Sequence, residues 1–479
     1  MIYLYIFLGI LALFLGVLIV RTLSFKPKAN AKVSSEEITL NEEKVIESLR
    51  TLVRFKTISY RDSSLEDNAE FEALLNELPK LYPNVYKTCT QTLMDDRGVL
   101  IHWKGKDDQK EPAVMMAHYD VVPVNEERWD KPPFEAILED GVIWGRGTLD
   151  TKVTVNGILS AADKLIADGF VPEGDIYFAF SGGEEVNGQG AVNIVEYFQN
   201  NQIDLAFVVD EGGAVVENVF PGVNKPCGLI GIAEKGLLDL KYSCRSAGGH
   251  ASAPKPNSPI VMLSRACLDL EKHPFKMHLT KPVLEMFDTL GRYSSFVYKM
   301  IFANLWCFSH VLNMLCKKQG GELNALMRTT VAFTQSKGST ASNVIPPEAN
   351  LVSNIRLNPS DTIDSAMEYI TKVINNPDIE IDRLHGMNPS CISQTDCEEY
   401  QKVASSVVST WKGSIAAPYL MMQCSDSRHY GRISDKVYRF SAMDLTSEER
   451  ATIHGNNERI RVETALKAAE FYVRLMKQC

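Results

Sequence analysis

Residues 113–120 read AVMMAHYD, an apolar run that ends in a histidine and an aspartate. Two similar apolar runs occur farther along the chain, at residues 176–180 and 205–209. Each has the length of a strand and lacks polar alternation, which is typical of strands buried on both faces of a sheet. Between the first two runs, residues 153–166 have helical spacing and are followed by Gly169. This alternation of strand and helix predicts an α/β fold with a mostly parallel sheet.

The chain as a whole is too long for a single core, since it has 479 residues, of which 45% are hydrophobic and 23% are charged. Near residue 237 the pattern changes to half-exposed strands and longer helices, and near residue 389 the first rhythm returns. We therefore predict a main domain in two parts, residues 41–236 and 389–479, interrupted by an inserted α+β domain at residues 237–388. Further predicted elements are helices at residues 43–55 and 362–373, and strands at residues 237–244, 329–332 and 350–357.

The N-terminus carries a long uncharged segment, residues 2–20, that is almost wholly apolar. A helix of this length comes close to the roughly 30 Å of a bilayer core. A cleaved signal peptide is the alternative, because Ala29 and Ala31 resemble the small residues of a cleavage site. The segment lacks a basic start, and its apolar run is long for a signal peptide. We therefore predict a membrane anchor at residues 1–21, followed by a polar linker at residues 22–40.

The side of the membrane is suggested by the basic residues, since Arg21, Lys26, Lys28 and Lys32 all follow the apolar run. The positive-inside rule then favours a cytoplasmic main domain. Ten cysteines without a pairing motif agree with a reducing compartment. Export stays open as the alternative, because a long folded domain can be translocated despite nearby charges.

A second apolar stretch, residues 294–315, lies in the inserted domain. It contains Lys299, Asn304, His310 and Asn313, which a lipid-exposed span tolerates poorly. We predict a helix packed against the protein.

Polar residues stand where the predicted strands end. They are His118 and Asp120 after the first run, Glu184 and Glu185 after the second, Asp210 after the third, and Asp150 just before the helix at residues 153–166. In open α/β sheets the binding crevice lies at these strand ends, so we expect the side chains to converge. His454, in the segment ATIHGNNE, is the best-placed further histidine.

Such a cluster suits divalent metal ions. Packed carboxylates repel each other and bind protons more tightly, and a metal removes that cost. Imidazole and carboxylate ligands without thiolates favour zinc, with cobalt or manganese as substitutes. Singly, each residue has an ordinary interpretation, such as a surface histidine or a helix N-cap. These interpretations do not explain all the positions together. The net charge of −10 argues against a nucleic-acid partner.

At these residues the sequence resembles the zinc-dependent aminoacylase and carboxypeptidase family, especially its carboxypeptidase S-like branch. The resemblance runs from about residue 41 to the end of the chain and rests on segments in a fixed order: AHYDVVP, GRGTLDTK, GGEEVNGQGA, VVDEGG, SAGGHASAP, SNVIPPEA and IHGNNE. It implies a zinc-peptidase catalytic domain with an inserted lid and dimerisation domain. The main domain predicted above would be this catalytic domain.

The resemblance also implies roles for single residues. His118, Asp210 and a bridging Asp150 would bind one metal, and Glu185, His454 and the same Asp150 would bind the other. Glu184 would be the general base, and Asp120 would orient His118. Within the lid, His250 would reach the active site of a neighbouring subunit and stabilise the oxyanion, while Asn343 and Arg356 would contact the substrate.

Two positions depart from the family's pattern. Thr151 replaces the second aspartate that usually follows the bridging one, which puts the local turn in question. Cys424 and Ser425 replace a glycine–threonine pair before the segment DSR, which puts specificity in question. Cys424 is either an added thiol near the site or the filling of a small buried position.

The implied function is a two-zinc hydrolase that uses a metal-activated water to cleave the amide bond of N-acyl amino acids or small peptides with a free carboxylate. Carboxypeptidase, dipeptidase and N-acyl amino acid hydrolase are not separable from the sequence, although the large insertion favours an apolar acyl group. The expected partners are the substrate, a second copy of the chain bound through the lid, and the membrane. The alternative is a membrane-tethered binding protein that lost catalysis, but the retained ligands and Glu184 favour an enzyme.

Overall fold

The computed structural model of the protein describes residues 1–28, 31–218 and 220–479. Ala29, half of the possible cleavage site, lies outside these residues. The α-helices are α1 (Ile2–Ser24), α2 (Glu42–Arg54), α3 (Asn68–Leu81), α4 (Pro83–Thr88), α5 (Lys152–Ala167), α6 (Gly190–Asn200), α7 (Pro259–Lys272), α8 (Lys281–Gly291), α9 (Phe296–Ala303), α10 (Leu305–Gln319), α11 (Gly321–Met327), α12 (Ile363–Ile374), α13 (Glu398–Thr410), α14 (Ser447–Arg450) and α15 (Val462–Met476).

The strands form one large sheet and three smaller ones. They are β1 (Thr90–Met94), β2 (Gly98–Trp103), β3 (Ala113–His118), β4 (Ile137–Glu139), β5 (Val142–Trp144), β6 (Ile176–Ser181), β7 (Phe207–Val216), β8 (Cys227–Glu234), β9 (Gly236–Arg245), β10 (Gly249–His250), β11 (Thr330–Lys337), β12 (Val344–Ile345), β13 (Glu348–Leu357), β14 (Ile379–Met387), β15 (Ile415–Met421), β16 (Val437–Leu445) and β17 (Arg459–Arg461).

The central sheet has eight strands in the order β1-β2-β6-β3-β7-β16-β8-β15. Its middle strands are parallel: β3 pairs with β6 and β7, and β7 pairs with β16. Alternate side chains of β3 enter two different cores, so that Met115 packs on the side of α5 and Met116 on the side of α6. A strand covered on both faces needs apolar residues at every position, which is why its sequence shows no alternation. The predicted mostly parallel α/β sheet is confirmed.

The inserted region contains a four-stranded antiparallel sheet in the order β11-β13-β9-β14. Helices α7 and α12 cover it and share a separate core that includes Leu240, Leu263 and Ile370. We call this sheet, its two helices and the small pair β10–β12 the lid domain. Residues 283–327 behave differently, because Phe287, Phe302 and their apolar neighbours pack into the core of the central sheet. The predicted insertion, residues 237–388, therefore contains a segment that packs with the main domain.

The apolar stretch at residues 294–315 forms two helices, α9 and α10, instead of the one that was predicted. The break falls at Asn304, which is fully buried. Phe302 and Leu312 pack inward as expected, whereas Phe296, Trp306 and several other large apolar side chains are exposed.

At the N-terminus, α1 is long and apolar enough to cross a membrane, with a mean hydropathy of 2.7 over an 18-residue window. Such a helix fits both a membrane anchor and a signal sequence. It extends three residues beyond the predicted anchor and ends at Ser24. Its last turns contact the protein, since Arg21 donates hydrogen bonds to the Ala303 carbonyl at 3.1 and 3.3 Å.

Candidate metal centre

The candidate site lies at the C-terminal ends of the neighbouring strands β3 and β6. His118 is the last residue of β3 and pairs with Ser181, the last residue of β6. A short 3-10 helix then carries Glu184 and Glu185. Parallel pairing thus brings together side chains that are far apart in the sequence. This convergence was predicted from their positions at the ends of the strands.

Asp150 lies at the centre of the cluster, between two histidines. Its Oδ1 is 3.0 Å from Nε2 of His118, and its Oδ2 is 2.9 Å from Nε2 of His454. His454 Nε2 is also 3.1 Å from Oε2 of Glu185. One carboxylate therefore faces a separate histidine with each oxygen, which is the arrangement that a bridging ligand requires.

Asp120 is fully buried and ties the two strand ends together. Its backbone carbonyl is 3.1 Å from Nδ1 of His118, and its Oδ1 is 3.3 Å from the same nitrogen. The backbone N–H groups of Glu184 and Glu185 each donate to its carboxylate at 3.2 Å. Asp120 thus fixes the ring of His118 and the turn that carries both glutamates.

Asp210 does not join the cluster; the adjacent Glu211 does. The carboxylate of Asp210 accepts a hydrogen bond from the backbone N–H of Ser427 at 2.9 Å. Oε1 of Glu211 lies 3.6 Å from Nε2 of His118. The strand was expected to end at residue 209, but β7 continues to Val216, so residues 210 and 211 both lie on it and point to opposite faces. Of these two neighbours, the structure therefore places Glu211, and not the predicted Asp210, beside His118.

Glu458 is a further residue that the sequence prediction missed. Its carboxylate accepts hydrogen bonds from the backbone N–H groups of Gly147, Leu149 and Asp150 at 2.7 to 3.1 Å. Arg146 donates to the same carboxylate at 2.5 Å and to the carbonyl of Gly455 at 2.7 Å. This buried pair holds the loop of Asp150 against the loop of His454. Both residues belong to the segments that carried the resemblance, GRGTLDTK and IHGNNE, but no role had been assigned to them.

Burial and mutual repulsion act on the carboxyl groups of the cluster. Burial is the main cause that raises the pKa of Glu184 well above its usual range. Burial, together with the charge of Asp150, raises the pKa of Glu185 and raises that of Glu211 to about 8. Carboxyl groups whose pKa values are raised in this way suit a divalent cation, which would offset their mutual repulsion.

The same carboxylates also raise the pKa values of the two histidines, because their negative charge stabilises the protonated rings. Hydrogen bonds to Asp150 and Glu185 raise the pKa of His454 to about 10. For His118, burial opposes the charged ring, but Glu211, Asp120 and Asp150 outweigh it and the pKa is raised well above its usual value. Oε1 of Glu185 is buried without a hydrogen-bond partner among the described residues. An unpartnered carboxylate oxygen on a residue that groups with His118 and Asp150 fits a metal ion.

Comparison with known proteins agrees with this geometry. Residues 114–478 match the sequence profile of peptidase family M20/M25/M40. The chain is a member of this family. The predicted resemblance is thereby confirmed, and the protein is a metal-dependent peptidase or amidohydrolase.

Two relatives of this M20 enzyme match along most of both chains. The "Probable carboxypeptidase S-like 2" of Dictyostelium discoideum is 34% identical over 92% of this chain and 86% of its own. The "N-fatty-acyl-amino acid synthase/hydrolase PM20D1" of Xenopus tropicalis is 32% identical over 98% of this chain and 94% of its own. The M20 family metallo-carboxypeptidase Sso-CP2 of Sulfolobus solfataricus shares the fold, with a TM-score of 0.65 at 17% identity over 91% and 98% of the chains.

The lid domain of the M20 enzyme presents His250 to solvent. His250 lies in β10, and its Nδ1 is 2.7 Å from Oγ of Ser252. Asn343 is adjacent and exposed, and its backbone carbonyl accepts a hydrogen bond from the N–H of Ala251 at 3.0 Å. Among the described residues, no hydrogen bond or ion pair joins His250 or Asn343 to the metal cluster. The chain therefore brings these two residues together, and in the part that the structure describes neither is bonded to the cluster.

Arg356 is half-buried on β13, where the lid domain meets the main domain. Its Nη1 lies 3.7 Å from Sγ of Cys424, and its Nε donates to Asn354 at 3.3 Å. Two residues after Cys424, the carboxylate of Asp426 accepts a hydrogen bond from Oγ of Ser181 at 2.5 Å. A short segment of chain thus links Arg356 to the strand end that carries the glutamates.

Thr151 and Cys424, the two departures from the family's pattern, are each surrounded without disturbing the cluster. Thr151 is buried at the start of α5, and its hydroxyl has no hydrogen-bond partner among the described residues. The cluster around Asp150 forms with this threonine in place. Burial raises the pKa of the Cys424 thiol, so it stands beside Arg356 as a small neutral side chain.

Proposed function

We propose that the cluster holds two divalent metal ions, zinc by the chemistry of its ligands, with Asp150 between them. His118, Asp150 and Glu211 would hold one ion, and His454, Asp150 and Glu185 the other. The observation that supports this pairing is the position of Asp150, whose two oxygens face the two histidines at 3.0 and 2.9 Å. The absence of thiolates from these two sets favours zinc, with cobalt or manganese as substitutes.

Glu184 is the proposed general base. When bound, the two ions would acidify a water and polarise the carbonyl of the scissile amide. The carboxylate of Glu184 forms a group with His118 and Glu211 in which the ligand atoms lie within 4.8 Å of one another. Burial raises its pKa, which makes the carboxylate a stronger acceptor for a proton that it would then return to the leaving amine.

The proposed substrates are N-acyl amino acids with a free carboxylate. Small peptides are the second substrate class, against which they are to be tested. Relatives named as an N-fatty-acyl-amino acid synthase/hydrolase and as a probable carboxypeptidase support this choice. Arg356 would grip the carboxylate, because its planar guanidinium can donate two parallel hydrogen bonds. Asn343 would contact the same substrate.

We place His250 in the active site of a second copy of the chain. Its exposure on the lid agrees with a homodimer in which the lids meet. There it would donate a hydrogen bond to the oxyanion that develops during attack on the amide. The catalytic set would then be complete only in the dimer.

A panel of substrates tests the specificity. It would contain N-acyl amino acids of graded chain length and dipeptides, each with a free and with an amidated carboxylate. We expect the highest kcat/KM for N-acyl amino acids with a free carboxylate. Arg356→Lys should lower kcat/KM far more for these than for their amides, because lysine lacks the planar fork.

The matched control is Arg383→Lys, an exposed arginine on β14 of the same lid sheet, which should leave both rates unchanged. An equal loss on free and amidated substrates in Arg356→Lys would contradict a carboxylate-binding role. If dipeptides gave the highest kcat/KM, the enzyme would be a dipeptidase and the proposed acyl specificity would be wrong.

A further inference from the structure

An exposed apolar surface lies beside α1. It is formed by α9 and α10, and its members are Phe296, Val297, Trp306, Val311, Met314 and Leu315. Their side chains are between 46% and 64% exposed. Single exposed apolar residues are ordinary, but a contiguous group of large ones marks a surface that binds something apolar.

Helix α10 is apolar on both of its faces. Leu312 and Cys316, one turn apart, pack into the core of the main domain. Val311 and Leu315, also one turn apart, are exposed. Its polar residue Asn313 turns toward the protein and accepts a hydrogen bond from Arg328 at 2.5 Å. A helix at the surface of a soluble protein normally carries polar residues on its outer face, so this pattern indicates a non-aqueous neighbour.

The break between α9 and α10 is fastened to α1 by buried polar contacts. The side chain of Asn304, which is fully buried, donates to the carbonyl of Leu18 and the hydroxyl of Thr22, both at 3.3 Å. Arg21 caps the carbonyl of Ala303. A buried amide would lose these partners without α1, so the three helices form one unit.

The contact between Phe14 and Trp306 shows how far this unit extends along α1. Their ring centroids are 5.9 Å apart in an edge-to-face arrangement. Phe14 lies about 15 Å from the C-terminal end of α1, at about 1.5 Å of rise per residue. A bilayer that surrounds the apolar length of α1 therefore also reaches Trp306.

We propose that α9 and α10 form a second membrane-binding element, which lies in the lipid beside α1. The partner is a lipid surface, and the inference does not depend on which amide the enzyme hydrolyses. Lys317 and Lys318, exposed at the end of α10, match the phosphate layer of a bilayer. His310, on the exposed face, places the helix at the level of the headgroups and upper acyl chains instead of across the membrane.

Quenching of tryptophan fluorescence by brominated lipids tests this in the full-length protein, reconstituted in phosphatidylcholine vesicles with and without brominated acyl chains. Trp306 is 56% exposed, whereas Trp103, Trp129 and Trp411 are at most 9% exposed. We expect brominated chains to quench part of the emission, and Trp306→Phe to remove most of the quenched part while keeping a ring against Phe14. The control Trp144→Phe should leave the quenched part unchanged.

A second pair of variants covers a failure of Trp306→Phe to fold, which hydrolysis of a short-chain soluble substrate would reveal. Met314→Trp on α10 should gain a lipid-quenched signal over the wild type, and Leu384→Trp, 56% exposed on the lid, should not. The absence of quenching in the wild type, or equal quenching in Trp306→Phe, would overturn the proposal. If a second copy of the chain covered Trp306 instead of lipid, the wild type would show no quenching.

Discussion

Glu184 and Glu185 are neighbours in sequence with different proposed roles, one as a base and one as a ligand. We expect Glu184→Gln to retain bound metal and to lose about 10²- to 10⁴-fold in kcat, because it removes proton transfer alone. Metal analysis and steady-state kinetics on the same preparation measure both properties. Glu196→Gln, an exposed glutamate on α6, is the matched control and should behave as the wild type. Near-normal turnover in Glu184→Gln would remove it from the mechanism.

Asp210 and Glu211 provide a direct comparison at adjacent positions. Glu211→Gln should lower metal affinity by more than the roughly 10- to 100-fold typical of residues that only support a ligand. Asp210→Asn should have the smaller effect, because its carboxylate is bonded to the backbone N–H of Ser427 and not to the cluster. Titration of the metal-free proteins with zinc compares them. The reverse order of affinities would restore Asp210 as the ligand.

For single residues, the sequence predicted that the side chains of four residues would lie close together, and they do: His118, Asp150, Glu185 and His454. Each of them follows a strand end or belongs to a quoted motif. The prediction also named Asp210, whereas the structure places the adjacent Glu211 beside His118. That choice depends on where β7 ends, and one residue of register moves a side chain to the opposite face.

At the scale of elements, buried strands and amphipathic helices were predicted well. The strand predicted at residues 113–117 is β3, and the helix predicted at residues 153–166 is α5, each within one residue at either end. The helix expected through residues 294–315 divides at Asn304, because the amide of that residue bonds to α1. A contact with a helix more than 280 residues earlier in the chain leaves no local signal in the sequence.

The small pair β10–β12 carries the proposed contribution of one subunit to another. His250→Ala should lower kcat more than it raises KM, since the contact with the oxyanion is strongest in the transition state. Mixing His250→Ala subunits with Glu184→Gln subunits should restore activity, because each mixed dimer has one site with both residues intact. Verified mixed dimers without recovery would place His250 outside the partner's site.

In the molecule as a whole, a chain of contacts connects the surface proposed to bind lipid with the candidate metal centre. Helix α11 follows α10, and the Nζ of Lys235 donates to the carbonyl of Ala325 in α11 at 2.8 Å. The carbonyl of Lys235 in turn lies 3.5 Å from Sγ of Cys424, the thiol beside Arg356. The surface proposed to bind lipid and the residue proposed to bind carboxylate are therefore linked through one helix. The side of the membrane on which they lie stays a prediction from the basic residues after α1.

Asp150 is proposed to lie between two metal ions, and the metal content of the purified full-length enzyme measures whether both are present. We predict two zinc ions per chain in the active protein, loss of both ions and of activity after chelation, and recovery of activity with zinc, cobalt or manganese. Asp150→Asn should bind far less metal than the wild type, because each ion would lose an anionic ligand. Full activity in a protein freed of metal, or one ion per chain at full activity, would rule out a two-metal site at Asp150.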